Sequence, residues 1–377
     1  MLSIPGNFSI NPIRINPSTH CATIKTHTDS DFLIVGSGLA GSCLAWQIDQ
    51  LGLSYRIFND PNRAAASQTA AGFINPITGK WMTKSWEIDR LLPTAKNFYS
   101  TIERQLNCSI HHPLAIRRFF IRPEDAARAS RKIKNPRYSP YLEKVLPLGS
   151  DVCAIKDSFG SLIIGGGVWL DVPEFLHQLQ SYFKKKGTLI ESALDYDQLS
   201  PPNQSSQLTW EYRGLRAKTV IFCQGIHSLE NPFFNYLDIR PIKGEMLTLE
   251  LPDLRLQPGL YHKKRWLHAL PNAKAEVEDT CHRFRFGASY AEGVSDRDPS
   301  PAAKASLLEI LKTMTDHPPR ILEHKVGIRP STRDAVPLIA QHPEYPSLYA
   351  INGLGSKGTA SAPSLALQLL KKLGYGD

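Results

Sequence analysis

Three glycines mark the first place where this chain could do chemistry. Gly36, Gly38 and Gly41 follow the apolar run Phe32 to Val35 and open a stretch with helical spacing. A GxGxxG turn of this kind holds backbone N–H groups against a pyrophosphate: Gly36 permits the tight turn, and Gly38 leaves no side chain between backbone and phosphate. Gly41 has another task, letting helix and strand pack closely, so that the phosphates meet the positive end of the helix. Counted from Gly36, the position that usually carries a ribose-binding acid is Asn59, with Asp60 next to it. Asn is a weaker acceptor for a ribose diol than a carboxylate. Small residues recur in SQTAAGFINP, from Ser67 to Gly72, either as a second backbone wrap around a bulky flat ligand or as an Ala-rich helix start leading into a loop. A third glycine group, Gly353, Gly355 and Gly358, lies near the end of the chain.

The elements needed to position these residues are readable. Phe32 to Val35 suits a central parallel strand, Ser42 to Leu51 a helix, and Ser54 to Phe58 a second strand. Strand, glycine turn, helix and strand within about 30 residues form a dinucleotide fold that NAD or FAD could fill. Ser85 to Leu106 has a helical stripe that Pro93 must kink or interrupt, and 114 to 121 alternates like a strand. Helices are predicted over Arg122 to Ile133 and Glu174 to Lys186, a strand from Thr188, and a hairpin loop over 200 to 207. Lys218 to Phe222 is a strand that closes on Gly225. Further strands are expected at Gly244 to Leu251, Arg265 to Leu270 and His282 to Tyr290, with a polar loop at Pro271 to Thr280 and a helix at Ser300 to Met314. Leu348 to Asn352 is a buried strand and Pro363 to Leu373 a helix, so the chain ends as it begins.

The fold class is α/β: a Rossmann-like nucleotide-binding domain joined to a second, mixed-sheet α+β substrate domain. Residues 31–78, 151–235 and 320–377 are assigned to the first, 79–150 and 236–319 to the second, and 1–30 to a flexible N-terminal arm. That arm fits a weakly basic transit peptide and an extended translation start equally.

Composition narrows the class of function. A hydrophobic fraction of 42% and a charged fraction of 21% are those of a globular protein, and no run of 18 apolar residues predicts a membrane span. The net charge of +9 is gathered at Arg117-Arg118, Lys184 to Lys186 and Lys263 to Arg265, yet no recognition fold or aromatic-interleaved stripe accompanies these runs. A nucleic-acid partner is therefore not the first expectation, although anionic ligands would be attracted. The six cysteines lack a pairing rhythm, which favours a reducing, cytoplasmic setting. Cys108, His111 and His112 have no second ligand cluster at suitable spacing, so no metal is expected.

Four landmarks in order, GSGLAG, SQTAAGFINP, IFCQG and the closing pair GIRPSTRD with NGLGSKGTASAP, resemble the D-amino-acid oxidase and glycine oxidase superfamily of FAD-dependent oxidoreductases over residues 31 to 375. AAGFINPITGKW looks most like its bacterial amine-oxidising branches, including the oxidoreductase half of the bifunctional enzyme that modifies the tRNA wobble uridine. The resemblance implies non-covalent FAD, since the flavin-linking cysteine of some sarcosine-oxidising relatives has no counterpart. It implies that Gly36, Gly38 and Gly41 hold the pyrophosphate, Asn59 and Asp60 the ribose, and Ser67, Thr69, Ala71 and Gly72 the phosphates and flavin. Leu194 would meet the adenine, Gly225 would pass close to the cofactor, and Gly355, Lys357, Gly358 and Thr359 would cap the pyrimidine edge. Arg329, the arginine of GIRP, would bind a substrate carboxylate in a two-pronged salt bridge, the alternative being a structural pairing with Asp334 or with backbone at a domain junction, and Tyr261 and His268 would be pocket residues.

The implied reaction is oxidation of a C–N bond in a small amine or amino acid: hydride passes to flavin N5, the imine hydrolyses, and electrons go to O2 or another acceptor. It needs no paired carboxylates or Ser-His-Asp set. The alternatives are an oxidoreductase acting on an aminomethylated tRNA wobble uridine and a flavin-binding scaffold without turnover.

Overall fold

The computed structural model describes residues 28–149, 154–202, 209–270 and 282–376. The parts of the N-terminal arm, the 200–207 loop and the Pro271 to Thr280 loop beyond these ranges lie outside the described residues, as do Cys21, Cys153 and Cys281.

Phe32 to Val35 are all buried, as expected for a strand covered on both faces. The strand Thr28–Val35 runs parallel to Tyr55–Phe58 on one side and to Leu215–Phe222 on the other, within an eight-stranded sheet. Leu348–Asn352 joins Leu215–Phe222 in parallel, so the last strand returns to the first sheet. Strand periodicity divides the core: Phe32 and Ile34 pack in a cluster with the helix Leu39–Gln50, and Leu33 and Val35 pack in another with Trp210 and Phe222.

The helix starts at Leu39 instead of Ser42, so Gly41 lies inside its first turn. A Cβ on Gly41 would stand 1.8 Å from the Gly36 carbonyl oxygen, and one on Gly36 would stand 2.5 Å from that of Cys223. Gly36 also has a φ of +104°, a region L side chains rarely adopt. The turn is tied at both edges, with Gly36 N–H donating to the Phe58 carbonyl at 2.7 Å and Cys223 N–H to that of Val35 at 2.7 Å.

The last helix departs from expectation in a similar way. It spans Gly358–Lys372 and carries Pro363 inside it, five residues after its start. A proline there leaves the carbonyl four residues earlier without its helical donor. That carbonyl belongs to Thr359, and the buried Tyr99 hydroxyl donates to it at 2.7 Å. The helix Ile88–Leu106 likewise continues through Pro93.

A nine-stranded sheet faces this layer. Its order runs from Ala291–Glu292 through Arg240–Glu250, Arg283–Gly287, Arg265–Ala269, Gly259–Lys263, Ile116–Phe119 and Ser161–Ile164 to Leu142–Leu146, with Arg320–Ser331 also on Arg240–Glu250. Hydrogen bonding does not break at 151 or 320: Ser161–Ile164 and Arg320–Ser331 both pair in this second sheet. Phe119, Leu247, Leu267 and Phe286 bury one face against Leu307 and Leu311 of the helix Pro301–Lys312. The opposite face looks at the first domain.

Gly41→Ala is expected to abolish flavin retention and to lower thermal stability, because overpacking a rigid site typically costs about 1 to 3 kcal/mol. Thermal melts and flavin absorbance of the purified variant check this; a variant that keeps both would remove the close contact from the account.

Candidate active site

Two helix N-termini open on one cleft. Gly38 and Lys357 occupy the capping positions of the helices Leu39–Gln50 and Gly358–Lys372, and neither supplies a side-chain cap. Leu39, Ala40, Gly358 and Thr359 all line the cleft, so two sets of first-turn N–H groups sit at its wall. The two ends are close: a Cβ on Gly358 would lie 3.1 Å from Leu39 Cδ2. The cleft has a volume of about 330 Å³.

Most residues anticipated from sequence meet here. Gly36, Gly38, Asn59, Asp60 and Ser67 line one end, and Thr69, Ala71 and Gly72 continue along it. Leu194, Gly225, Gly355, Gly358, Thr359 and Arg329 complete the set. Gly41 is behind the turn, acting on its shape alone. Asn59 is committed to the turn, its Oδ1 accepting from Ser37 N–H at 3.1 Å. Asp60 accepts from Asn62 N–H at 2.9 Å and also faces the cleft.

The small-residue stretch contains a 3-10 turn, Ala66–Thr69, seated on the second sheet where Gly327 leaves room. A Cβ on Gly327 would meet Thr69 Oγ1 at 2.2 Å. The turn after Leu348–Asn352 is tied to the same strand, with Gly355 N–H donating to the Pro330 carbonyl at 2.8 Å.

Arg329 stands on the cleft-facing side of Arg320–Ser331, in phase with Lys325 and Gly327. Its guanidinium lies over Gly244, where a Cβ would come within 2.3 Å of Nη2. Burial pushes its pKa down, with Tyr290 opposing. Asp334 does not pair with it: that carboxylate accepts from Thr332 Oγ1 at 3.0 Å and Val336 N–H at 3.1 Å. Among the described residues no carboxylate forms an ion pair with Arg329, whereas Lys325 pairs with Glu323 at 3.1 Å.

Three expected residues are placed elsewhere. Tyr261 points to the opposite face of the second sheet, packs with the Leu247 and Phe286 cluster, and donates to the Gln257 carbonyl at 3.1 Å. Its strand alternates, so His262 faces inward and Tyr261 cannot. His268 is on the inward face but one layer behind the cleft, its ring 5.0 Å from Phe73 and 5.0 Å from Trp169. Burial pushes its pKa down to about 3, and its Nδ1 has no hydrogen-bond partner among the described residues. Lys357 lines a neighbouring cavity instead of the main cleft.

Sequence reading missed Trp266, Met246 and Phe73, which wall the cleft opposite the helix ends. Trp266 and Phe73 meet edge to face at 5.0 Å. The signal available was period-two phase within Arg265–Ala269 and Arg240–Glu250, read once Arg329 fixes the inward face. Among the described residues no three His, Cys, Asp or Glu side chains converge as a metal site.

A family model described as DAO, FAD dependent oxidoreductase, matches residues 31–371. The chain belongs to that family. It is therefore an FAD-dependent oxidoreductase, and its α/β architecture is the DAO fold. Glycine oxidase from Geobacillus kaustophilus is similar in structure, with 19% identity, coverage of 93% of this chain and 96% of that one, and a TM-score of 0.75. Iminodiacetate oxidase from Chelativorans sp. BNC1 shows 20% identity over 92% of this chain and 96% of that one, with a TM-score of 0.71. In sequence, the tRNA 5-methylaminomethyl-2-thiouridine biosynthesis bifunctional protein MnmC of Idiomarina loihiensis is 23% identical over 91% of this chain. The chain spans 55% of that relative's length.

The residues present fit FAD. The cradle at Gly36 and Gly38, with a helix end beside it, matches a pyrophosphate, and the second helix end and the Ala66–Thr69 turn extend the cleft for a longer, flat group. No helix among the described residues is long and apolar enough to cross a membrane.

His268 contributes to the acid sensitivity of this region. Its folded pKa of about 3 is below the model-peptide value of 6.5. Protons therefore bind the unfolded chain first, and the stability associated with neutral His268 is full above the unfolded pKa and lost as pH falls toward the folded one. Each such pH unit is worth about 1.4 kcal/mol. Between about pH 6.5 and 5 the wild type is expected to lose about 1.6 kcal/mol more than His268→Phe, measured by urea unfolding; equal slopes would contradict a neutral buried imidazole.

Proposed function

We propose that this chain oxidises the C–N bond of a small amino acid or secondary amine whose carboxylate is held by Arg329. The observation carrying this reading is a half-buried guanidinium on the cleft wall with no carboxylate of the described chain paired to it. A carboxylate there would receive two parallel N–H donors, and Arg329 over the side-chain-free Gly244 has room to present them. FAD, when bound, supplies the acceptor for the hydride leaving the α-carbon. The chain's residues then position that carbon: Arg329 fixes the carboxylate, and Trp266, Met246 and Phe73 exclude water around it. The amine enters neutral, the imine is hydrolysed by water to carbonyl and amine products, and the two electrons leave to O2 or another acceptor.

In this reading Gly36 and Gly38 take the pyrophosphate, Asp60 with the free amide of Asn59 the ribose, and Leu194 the adenine. Ser67 to Gly72, Gly225, Gly355, Gly358 and Thr359 surround the flavin. FAD is held without a covalent bond. Cys223, the cysteine lining the cleft, is packed against the glycine turn and burial pushes its thiol up to about 12.

A second reading, action on an aminomethylated tRNA uridine, draws support from the MnmC likeness and from a basic surface around the half-exposed Trp81. Arg128 lies 4.7 Å and Lys80 5.2 Å from that ring.

Anaerobic bleaching of the flavin band near about 450 nm separates these readings. The proposal expects free amines to bleach it; bleaching by tRNA alone, with strong salt dependence, would transfer it to the second reading. No bleaching by any amine or RNA would leave a flavin-binding scaffold. Arg329→Ala removes one partner of a buried ion pair, a loss of about 3 to 5 kcal/mol. The half-saturating amino-acid concentration is therefore expected to rise at least about 100-fold, and an unchanged value would remove Arg329 from the site.

A further inference from the structure

A second cavity of about 250 Å³ adjoins the cleft, sharing Phe73, Trp266 and Ser356 with it. It lies between the inward face of the nine-stranded sheet and the segment from Asn75 to Trp86, which includes the hairpin Ile77–Thr78 with Thr83–Lys84. Its walls are largely apolar, including Ile77, Ile88, Leu91, Ile116, Ile164 and Leu260. Set into them are Arg118, His262 and Lys357, and no acidic side chain lines the space.

Sheet register places two of the three side by side. Arg118 is directly opposite His262 across parallel strands, and His262 is directly opposite Trp266. Arg118 shares the inward phase with Ile116, while Phe119 on the other phase belongs to the cluster beyond the sheet.

The charges here are unbalanced. Arg118 and Lys357 form no ion pair or hydrogen bond through their side chains with any described residue. The acid nearest in electrostatic effect to Arg118 is Asp125, whose carboxylate is engaged by Arg128 at 2.7 Å and Arg122 at 3.5 Å. Burial, with Arg118 adding to it, pushes His262 down to about 4, so this imidazole is neutral and contributes hydrogen bonds, not charge. Two cations thus face an apolar chamber without a counter-charge, an arrangement that a bound anion relieves. The apolar walls suit a hydrocarbon stem, and the planar fork of Arg118 suits a carboxylate at its end.

We propose that this cavity receives a second carboxylate, carried at the far end of the substrate's own side chain or N-substituent. The substrate class is then an amine with two carboxylates, one near the reacting carbon at Arg329 and one past Trp266 at Arg118 and Lys357. This rests on the amine-oxidation reading given above. Four strand spacings, about 19 Å, separate the strand that carries Gly244, over which Arg329 lies, from that of Arg118. A substrate that engages both arginines is therefore expected to need a stem of several bonds between its carboxylates.

The test uses the FAD-loaded protein and a homologous series of α-amino diacids of increasing chain length, in both enantiomers, each matched to its ω-amide. Flavin reduction is followed anaerobically. The longer diacids are expected to half-saturate at concentrations about 10- to 100-fold below their ω-amides, and Arg118→Gln is expected to erase that preference while Arg118→Lys retains part of it. Equal use of acid and amide, or an equal shift of both in Arg118→Gln, would overturn the proposal. If Arg118→Gln does not fold, Lys357→Met is expected to narrow the same preference, and an undiminished preference counts against the site. Should no amine reduce the flavin, the oxidation reading fails by itself, and the cavity is examined through tryptophan fluorescence during titration with adipate and suberate. Saturable binding that Arg118→Gln removes sustains the carboxylate pocket, and its absence overturns it. Acetate saturating Arg118 without competing with a reactive diacid would assign the cavity to a free anion and overturn the proposal as well.

Discussion

The carbonyl oxygen of Gly36 occupies the space in which a side chain on Gly41 would begin, and the rest of the molecule is arranged around that contact. Because the helix can approach the strand end so closely, it starts at Leu39 with its first N–H groups facing outward into the cleft. Cys223 closes on the same turn from the neighbouring strand, so the ends of Thr28–Val35 and Leu215–Phe222 are held in register by one short stretch of backbone. Any added methyl group would push apart three chain segments at once, in an interior that has little capacity to relax.

The second helix end depends on a different repair. Pro363 deprives Thr359 of a backbone donor, and Tyr99, from a helix distant in sequence, supplies a hydroxyl instead. Gln47 reaches the Pro363 carbonyl at 2.9 Å, tying this helix to the one that follows the glycine turn. The two macrodipoles are thereby fixed side by side, their positive ends on one cleft. Asn59, spent on Ser37 N–H, serves the same rigidity.

The second sheet contributes through alternation. Lys325, Gly327 and Arg329 share one face, and their neighbours Gly244 and Met246 share it across the ladder. Two glycines there have opposite partners: Gly327 makes room for Thr69 of the first domain, and Gly244 for the Arg329 guanidinium. The sheet is therefore both the floor of the cleft and the surface against which the nucleotide layer docks. Its other face is closed by Phe119, Leu267 and Phe286, which is why Tyr261 has no access to the cleft.

Local sequence determined the glycine turn and the strands Phe32 to Val35 and Leu348 to Asn352, because each rests on backbone freedom or unbroken apolar runs that neighbouring residues express, whereas the grouping of Ser67 to Gly72 with Gly355 and Arg329 followed from the family resemblance. It misjudged the starts of both cleft helices, since Gly41 and Pro363 are ordinary helix breakers until a distant carbonyl or hydroxyl compensates them. It could not choose between Tyr261 and His262, whose difference is one step of strand phase, set by partners on other strands. Nor could it place Arg118 and Lys357 in one cavity: they are brought together only when the sheet and the closing turn pack, and burial then makes their charges matter.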